Sequence, residues 1–123
     1  MNSNDLRMVF FVRTDLKMPK GKIAAQVGHA VQYLVQGALE ENNPGFKYRK
    51  WASGISTKIC LKVSSEEELN KFYNLGKANN FHTVMVKDEG LTCFNGVKTF
   101  TVVGWGPIFK EEHQDLTSEL KLL

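Results

Sequence analysis

Short apolar segments with the composition of strands alternate with longer segments of helical periodicity along this chain of 123 residues. Residues 8–13 (MVFFVR) form an apolar run rich in β-formers, which predicts a buried strand. Residues 57–63 alternate apolar and polar side chains and predict a second strand. Residues 82–87 and 99–104 predict two more, the last ending at the GWGP segment. This alternation favours an α/β layered domain.

The segment after the first strand predicts a loop followed by an amphipathic helix. Pro19 and Gly21 disrupt regular structure over residues 14–21, and a helix is predicted over residues 22–36. At 100° per residue the apolar side chains of this helix share an arc of about 100°. They are Ile23, Val27, Ala30, Val31 and Leu34. A separate arc of about 60° beside it carries Lys22, Gln26, His29 and Tyr33.

Three further segments have helical character. Residues 46–53 predict a short helix that ends at Gly54, and the segment opening with Ser65 and Glu68 has the pattern of a capping box. Residues 108–123 have helical character as well. The predicted order is therefore β-α-α-β-α-β-β-α. The last two strands are joined by a connection too short for a crossover helix, so we expect them to run antiparallel within a four-stranded mixed sheet.

Length and composition point to one domain spanning residues 1–123, with residues 1–6 as a short flexible start. Two cysteines make no disulfide framework, and no Cys/His spacing suggests zinc. No signal peptide and no membrane-spanning segment is recognisable, so a cytoplasmic protein is expected. Residues 1–62 carry a charge of +6 and residues 63–123 a charge of −3. A basic half can face a polyanion, although charge alone favours simple surface scatter.

Polar side chains follow the first and third predicted strands. Sites in open α/β sheets gather beyond the C-terminal ends of parallel strands, so these two loops are neighbours if both strands are parallel and central. Lys22 and Asp88 then meet at one site. Each residue has a plainer interpretation: Lys22 as a solvated lysine at a helix start, and Asp88 as a turn former beside Gly90.

Other candidates have stronger structural interpretations. His29 lies at the edge of the apolar stripe, where a hydrogen-bonded structural histidine is favoured over a catalytic one. Thr92 and Thr101 are ordinary strand or turn residues when taken by themselves. The PKGK segment does not fit the G-x-x-x-x-G-K-[ST] pattern, which excludes a nucleotide-binding P-loop.

Residues 12–30 (VRTDLKMPKGKIAAQVGHA) resemble the opening signature of the type-2 peptidyl-tRNA hydrolases. That pattern runs R-x-D-L-K-M-x-x-G-K-x-A-A-Q-x-x-H-A, and every fixed position is present. A D-x-G-x-T segment at residues 88–92, TVVGWGP and the closing LKLL follow in the order typical of the family. The resemblance implies a three-layer α/β/α domain with a four-stranded mixed sheet. It also implies hydrolysis of the ester between peptide and tRNA, no cofactor, and a possible homodimer.

The resemblance also implies roles for individual residues. By position, the catalytic set is Lys22, Gln26, Asp88, Thr92 and Thr101. Thr99 is a rival to Thr101, because the segment before TVVGWGP is one residue longer than the family pattern. The residues expected to contact substrate are Arg13, Asp15, Lys17, Lys20 and His29. Further phosphate contacts are expected from Lys47, Arg49, Lys50, Lys58 and Lys62.

One segment departs from the family pattern. The family reads D-A-G-R-T-Q where this chain reads DEGLTC, so Leu91 replaces an arginine and Cys93 a glutamine. Loss of the arginine removes a cation able to bind phosphate or to fix Asp88. An alternative to the active enzyme is therefore a catalytically weakened RNA- or protein-binding module of the same fold.

Overall fold

A computed structural model describes residues 5–40, 45–91 and 94–123. The elements are β1 (Leu6–Arg13), α1 (Lys20–Leu39), α2 (Phe46–Ser53), β2 (Thr57–Val63), α3 (Glu66–Ala78), β3 (Thr83–Asp88), β4 (Thr99–Phe109) and α4 (Lys110–His113). The predicted α/β class and the order β-α-α-β-α-β-β-α are confirmed. None of the helices in these ranges has the length and apolar character needed to cross a bilayer.

The four strands form one mixed sheet in the order β2-β1-β4-β3. β1 is parallel to β2 and antiparallel to β4, and β3 is antiparallel to β4, as predicted. β1, β2 and β3 therefore run in the same direction. The condition set for the meeting of the two loops is met only in part, because β3 is not central and lies at the sheet edge beyond β4. Its direction still brings its C-terminal end to the same side of the molecule as that of β1.

The apolar run of β1 reflects burial on both faces of the sheet. Leu6, Met8, Phe10 and Val12 pack in one core with residues of α1 and α2, including Leu34 and Trp51. Val9 and Phe11 point to the opposite face and pack with Leu69 and Phe72 of α3. The predicted three layers follow, with α1 and α2 on one face and α3 on the other. Leu6 is already buried in β1, so the flexible start expected over residues 1–6 does not extend to it.

The helix boundaries agree with their sequence signals to within a few residues. α1 begins at Lys20 after Pro19, two residues before the predicted start, and α2 ends against Gly54. Ser65 caps α3 by accepting a hydrogen bond from the Glu68 amide at 3.0 Å. The Glu68 carboxylate accepts from the Ser64 amide at 2.9 Å, so the reciprocal bond of the predicted capping box goes to the preceding residue.

β4 is longer than its sequence predicted. Pairing with β1 resumes after Gly106 and Pro107, with Ile108 opposite Arg7 and Phe109 opposite Leu6. The register shifts at this point, which places the proline, without an amide hydrogen, at an irregularity instead of within a regular ladder. The prediction that the GWGP segment ends the strand is therefore wrong.

The C-terminal tail is only briefly helical. Beyond the four residues of α4 it forms turns, and Leu122 then pairs with Leu61 of β2. The Lys62 amide donates to the Lys121 carbonyl, and the Leu123 amide donates to the Cys60 carbonyl, each at 2.9 Å. The helix predicted over residues 108–123 is wrong for most of its length, because the closing residues satisfy backbone groups on the open edge of β2.

We expect Gly76→Ala to destabilise the protein although alanine is the better helix former. An added Cβ would lie 2.8 Å from Cδ1 of Trp105, whose indole is fully buried and donates to the Phe72 carbonyl at 3.0 Å. Overpacking of this kind costs about 1–3 kcal/mol. Urea denaturation would measure the loss in the free energy of unfolding.

Gly28→Ala is the matched control, since Gly28 also lies within a helix but has open space around an added Cβ. Its expected effect is a gain of about 0.5–1 kcal/mol from helix propensity. Equal effects at the two glycines would contradict the close approach of α3 to Trp105.

Candidate active site

Lys22 and Asp88, the two residues of opposite charge predicted to meet, lie together in the structure. They meet where the ends of β1 and β3 lie beside the start of α1. Asp88 is the last residue of β3, and Lys22 lies in the first turn of α1. The Lys22 ammonium donates to Oδ1 of Asp88 in an ion pair. Only 15% of the Lys22 side chain and 9% of the Asp88 side chain is exposed, so bulk water screens this pair weakly.

The Asp88 carboxylate is held by three donors. Besides Lys22, the Gly90 amide donates to Oδ2 at 2.8 Å, and the Gln26 amide nitrogen lies 3.5 Å from Oδ1. The turn that aims the Gly90 amide requires glycine, because φ is +80° and a Cβ would lie 2.7 Å from the backbone of Val97. Asp88 thus acts as both ion-pair partner and turn former, the two interpretations left open by the sequence.

The pKa of Asp88 lies below its usual range. The hydrogen bond from Lys22 is the largest cause, and burial opposes it by raising the pKa. The Gly90 amide and the positive charges of Lys22 and His29 lower the pKa further. Asp88 is therefore a carboxylate at neutral pH and a weak base.

Thr101 and Gln26 form a second, buried layer behind the ion pair. The Thr101 hydroxyl donates to Oε1 of Gln26 at 2.7 Å, which turns the amide nitrogen of Gln26 toward Asp88. Gln26 is 3% exposed and Thr101 is fully buried. The Thr99 hydroxyl instead donates to the Val97 carbonyl. The structure thus joins Thr101, and not its rival, to this network.

Gln26 keeps its predicted position on the polar stripe but is buried there. Thr101 of β4 supplies the partner that makes burial of an amide tolerable. His29, in contrast, is exposed. The residue pattern favoured a structural histidine at this position, and that interpretation is wrong.

The network opens into a groove of about 700 Å³. One wall is a face of α1 that carries Lys22, Gln26, His29 and Tyr33, and the other wall includes Asp88 and Leu91. The rings of His29 and Tyr33 are nearly parallel, with 6.3 Å between their centroids and 16° between their planes. Lys22 also lies 5.9 Å from the ring centre of Phe94, a neighbour that no local sequence pattern identified.

Arg13 and Asp15 form an ion pair where β1 passes into the following loop. Nε and Nη2 of Arg13 donate to the two Asp15 oxygens at 3.1 and 2.7 Å, and Nη1 donates to the Phe100 carbonyl at 3.0 Å. The hydrogen bond from Arg13 lowers the pKa of Asp15. This bidentate pair ties the loop to β4 and engages both side chains that had been predicted to contact substrate.

The remaining predicted residues divide between the surface and segments that are not described. Lys17 and Lys20 are exposed on the loop and first turn that lead into the groove. Thr92 and Cys93 lie outside the described residues. Within residues 5–40, 45–91 and 94–123, no cluster of three His, Cys, Asp or Glu side chains is arranged to hold a metal ion.

Known proteins are similar in sequence to this chain over nearly its whole length. The family description "Peptidyl-tRNA hydrolase PTH2" matches residues 6–123. A peptidyl-tRNA hydrolase of Sulfurisphaera tokodaii is 43% identical over 95% of this chain and 98% of its own length. One of Staphylothermus marinus is 35% identical over 100% of this chain and 99% of its own length.

A solved structure supports the fold independently. A protein of unknown function from Agrobacterium tumefaciens superposes with a TM-score of 0.63 over 97% of this chain and 98% of that one. At 11% sequence identity this likeness concerns the fold alone. The family match over residues 6–123 and the two archaeal relatives carry the stronger conclusion: this chain belongs to the PTH2 family of peptidyl-tRNA hydrolases.

Proposed function

We propose that this protein is an enzyme that hydrolyses the ester bond between peptide and tRNA in peptidyl-tRNA, releasing free tRNA for reuse in translation in the cytoplasm. The observation that carries the proposal is the Lys22–Asp88 ion pair, whose two residues line a groove. The chain belongs to the peptidyl-tRNA hydrolase family described above. Relatives that carry the name peptidyl-tRNA hydrolase support it over nearly the full length of the chain.

Direct attack by water is the simplest reaction scheme. Ester hydrolysis needs an oriented water, stabilisation of the oxyanion and a proton for the leaving ribose oxygen. Asp88 orients the attacking water more than it deprotonates it, because its lowered pKa makes it a weak base. The water oxygen bonds to the acyl carbon, and the proton that the water loses passes to the ribose oxygen as the ester bond breaks. Lys22 keeps Asp88 ionised and stabilises the negative charge that develops on the carbonyl oxygen.

The buried polar residues and the outer cations have separate roles in this scheme. Gln26 and Thr101 fix the carboxylate of Asp88 through the hydrogen bonds between them. By the family pattern, Thr92 supplies a second hydroxyl that positions the water or the ester carbonyl. Arg13 and Asp15 hold the loop that carries Lys17 and leads to Lys20 at the start of α1, and both lysines contact the tRNA phosphates.

The DEGLTC departure favours a second candidate, a module of the same fold that binds RNA or protein with weakened catalysis. Leu91, which replaces an arginine of the family pattern, is 89% exposed and brings no positive charge to the groove. Release of tRNA from N-acetylaminoacyl-tRNA separates the two candidates. Binding without release would favour the module, and multiple turnover would favour the enzyme.

We expect Lys22→Met and Asp88→Asn each to lower kcat at least about 10²-fold, as loss of a group that stabilises developing charge does. Both substitutions approximately preserve side-chain volume. Release of tRNA from N-acetylaminoacyl-tRNA would give the rates, and circular dichroism would establish that the variants are folded. Lys71→Ala and Asp115→Ala, exposed residues outside the groove, are matched controls with unchanged rates. Wild-type turnover in Lys22→Met would contradict the proposed mechanism.

Lys22→Met should also raise the pKa of Asp88, because it removes the largest cause of the lowered value and leaves the opposing burial. In the wild type, the stability contributed by Asp88 is present above its unfolded pKa and is lost as pH falls through its lower folded pKa. In the variant that contribution should shrink. Carbon-13 NMR titration of the carboxyl groups would measure the shift. The pKa of Asp15, lowered mainly by Arg13, is the internal control and should not move.

Cleavage of peptidyl-tRNA should slow as salt rises, since phosphate contacts release counterions. Lys17→Ala and Lys20→Ala should each raise KM and reduce the slope of log(kcat/KM) against log[salt] by about one. Lys71→Ala on α3 should leave the slope unchanged. A salt response that is flat in the wild type would argue against binding through phosphates.

A further inference from the structure

The far end of the groove differs chemically from the end that holds the ion pair. Lys22, Gln26, His29 and Tyr33 follow one another along α1 at intervals of three or four residues, so they line a single wall. His29 and Tyr33 therefore continue the wall away from the Lys22–Asp88 pair, with Tyr33 one helical turn, about 6 Å, beyond His29.

These two rings are not part of the core. The core-facing stripe of α1 packs through Ala30 and Leu34, which are fully buried, whereas His29 is exposed and Tyr33 is 39% exposed. The rings lie nearly parallel, with 6.3 Å between their centroids. Two aromatic rings aligned along an open groove form the kind of surface on which unpaired nucleobases stack.

We infer that His29 and Tyr33 form a platform on which the unpaired bases of the tRNA 3′ end stack, and that Tyr33 is a substrate-binding residue of this chain. The inference rests on the proposed function, because the substrate ester must lie at Lys22 and Asp88 for the 3′ end to reach the platform. His29 is the ring nearer the ester, because it lies between Tyr33 and Lys22 along α1. Tyr33 then receives a base one step further from the ester.

The nucleic-acid side of the substrate fits this wall better than the peptide side. Every base presents a flat face, so stacking works for all tRNAs, whereas peptide side chains vary from one substrate molecule to the next. Lys20 does not line the groove, but it is exposed at the start of the same helix and available to a phosphate outside it.

The test compares two small substrates. One is the N-acetylaminoacyl ester of the trinucleotide CCA, and the other is the same ester on a backbone whose sugars carry no bases. Stacking is worth about 5- to 150-fold per base. The wild type should prefer the first substrate in kcat/KM, and Tyr33→Ala should reduce that preference by a factor in this range. His29→Ala should do the same, and Tyr33→Phe should retain the preference because the ring remains.

Gln32→Ala is the matched control, since Gln32 is an exposed residue of the same helix that does not line the groove. A purely structural effect of Tyr33→Ala would slow both substrates equally and leave their ratio unchanged, which would overturn the inference. A change in the preference between glycyl and phenylalanyl esters, with the base preference intact, would overturn it in favour of a peptide-binding wall. If the wild type fails to cleave N-acetylaminoacyl-tRNA itself, the proposed function fails instead.

Discussion

The ion pair between Lys22 and Asp88 places a demand on everything around it, because two charges removed from water lose solvation that their mutual attraction alone seldom restores. The remaining hydrogen-bonding capacity of the carboxylate must be met by the protein. The Gly90 amide and Gln26 supply donors, and Thr101 fixes the amide of Gln26 in the required orientation. These hydrogen bonds offset the cost of burying the Lys22–Asp88 pair, and they also keep Asp88 ionised where it lines the groove.

The sheet topology explains why these residues meet. β4 lies between β1 and β3 and runs against both, so the loops after β1 and β3 emerge on one side of the molecule while β4 begins there. α1 starts from the first of these loops, and Asp88 ends β3 beside the second. Thr101, near the start of β4, donates a hydrogen bond to Gln26 of α1. The fold thereby brings together two charged residues that are 66 positions apart in sequence.

The groove combines two surfaces of different chemistry. Its polar end carries a fixed carboxylate and an ammonium group, and its other end carries two aromatic rings on the same helix. Leu91 on the opposite wall makes this chain less cationic at the groove than the family pattern. The proposed aromatic stacking would still operate at such a groove, since stacking needs no charge on the protein.

Much of the fold was predictable because the relevant signals are local. The uninterrupted apolar run of β1 indicated a strand covered on both faces, and Ser65 indicated the start of α3. The D-x-G spacing identified the turn in which Gly90 donates to Asp88. The likeness of residues 12–30 to the family signature indicated the family. The meeting of Lys22 and Asp88 was expected on the condition that the first and third strands were parallel and central.

Other features depended on partners distant in sequence. Helical periodicity placed Gln26 on a polar stripe, yet Thr101 of β4 allows it to be buried, and no pattern within α1 can reveal a partner on another strand. Continuation of β4 past Gly106 depends on pairing with β1. The C-terminal tail is not helical for most of its length, and its backbone forms hydrogen bonds with the edge of β2 instead. The sequence by itself determined the elements, their order and the charged pair. Only the tertiary structure decided which polar groups are buried and which rings stay exposed, because the cost of burying a group depends on the neighbours that satisfy it.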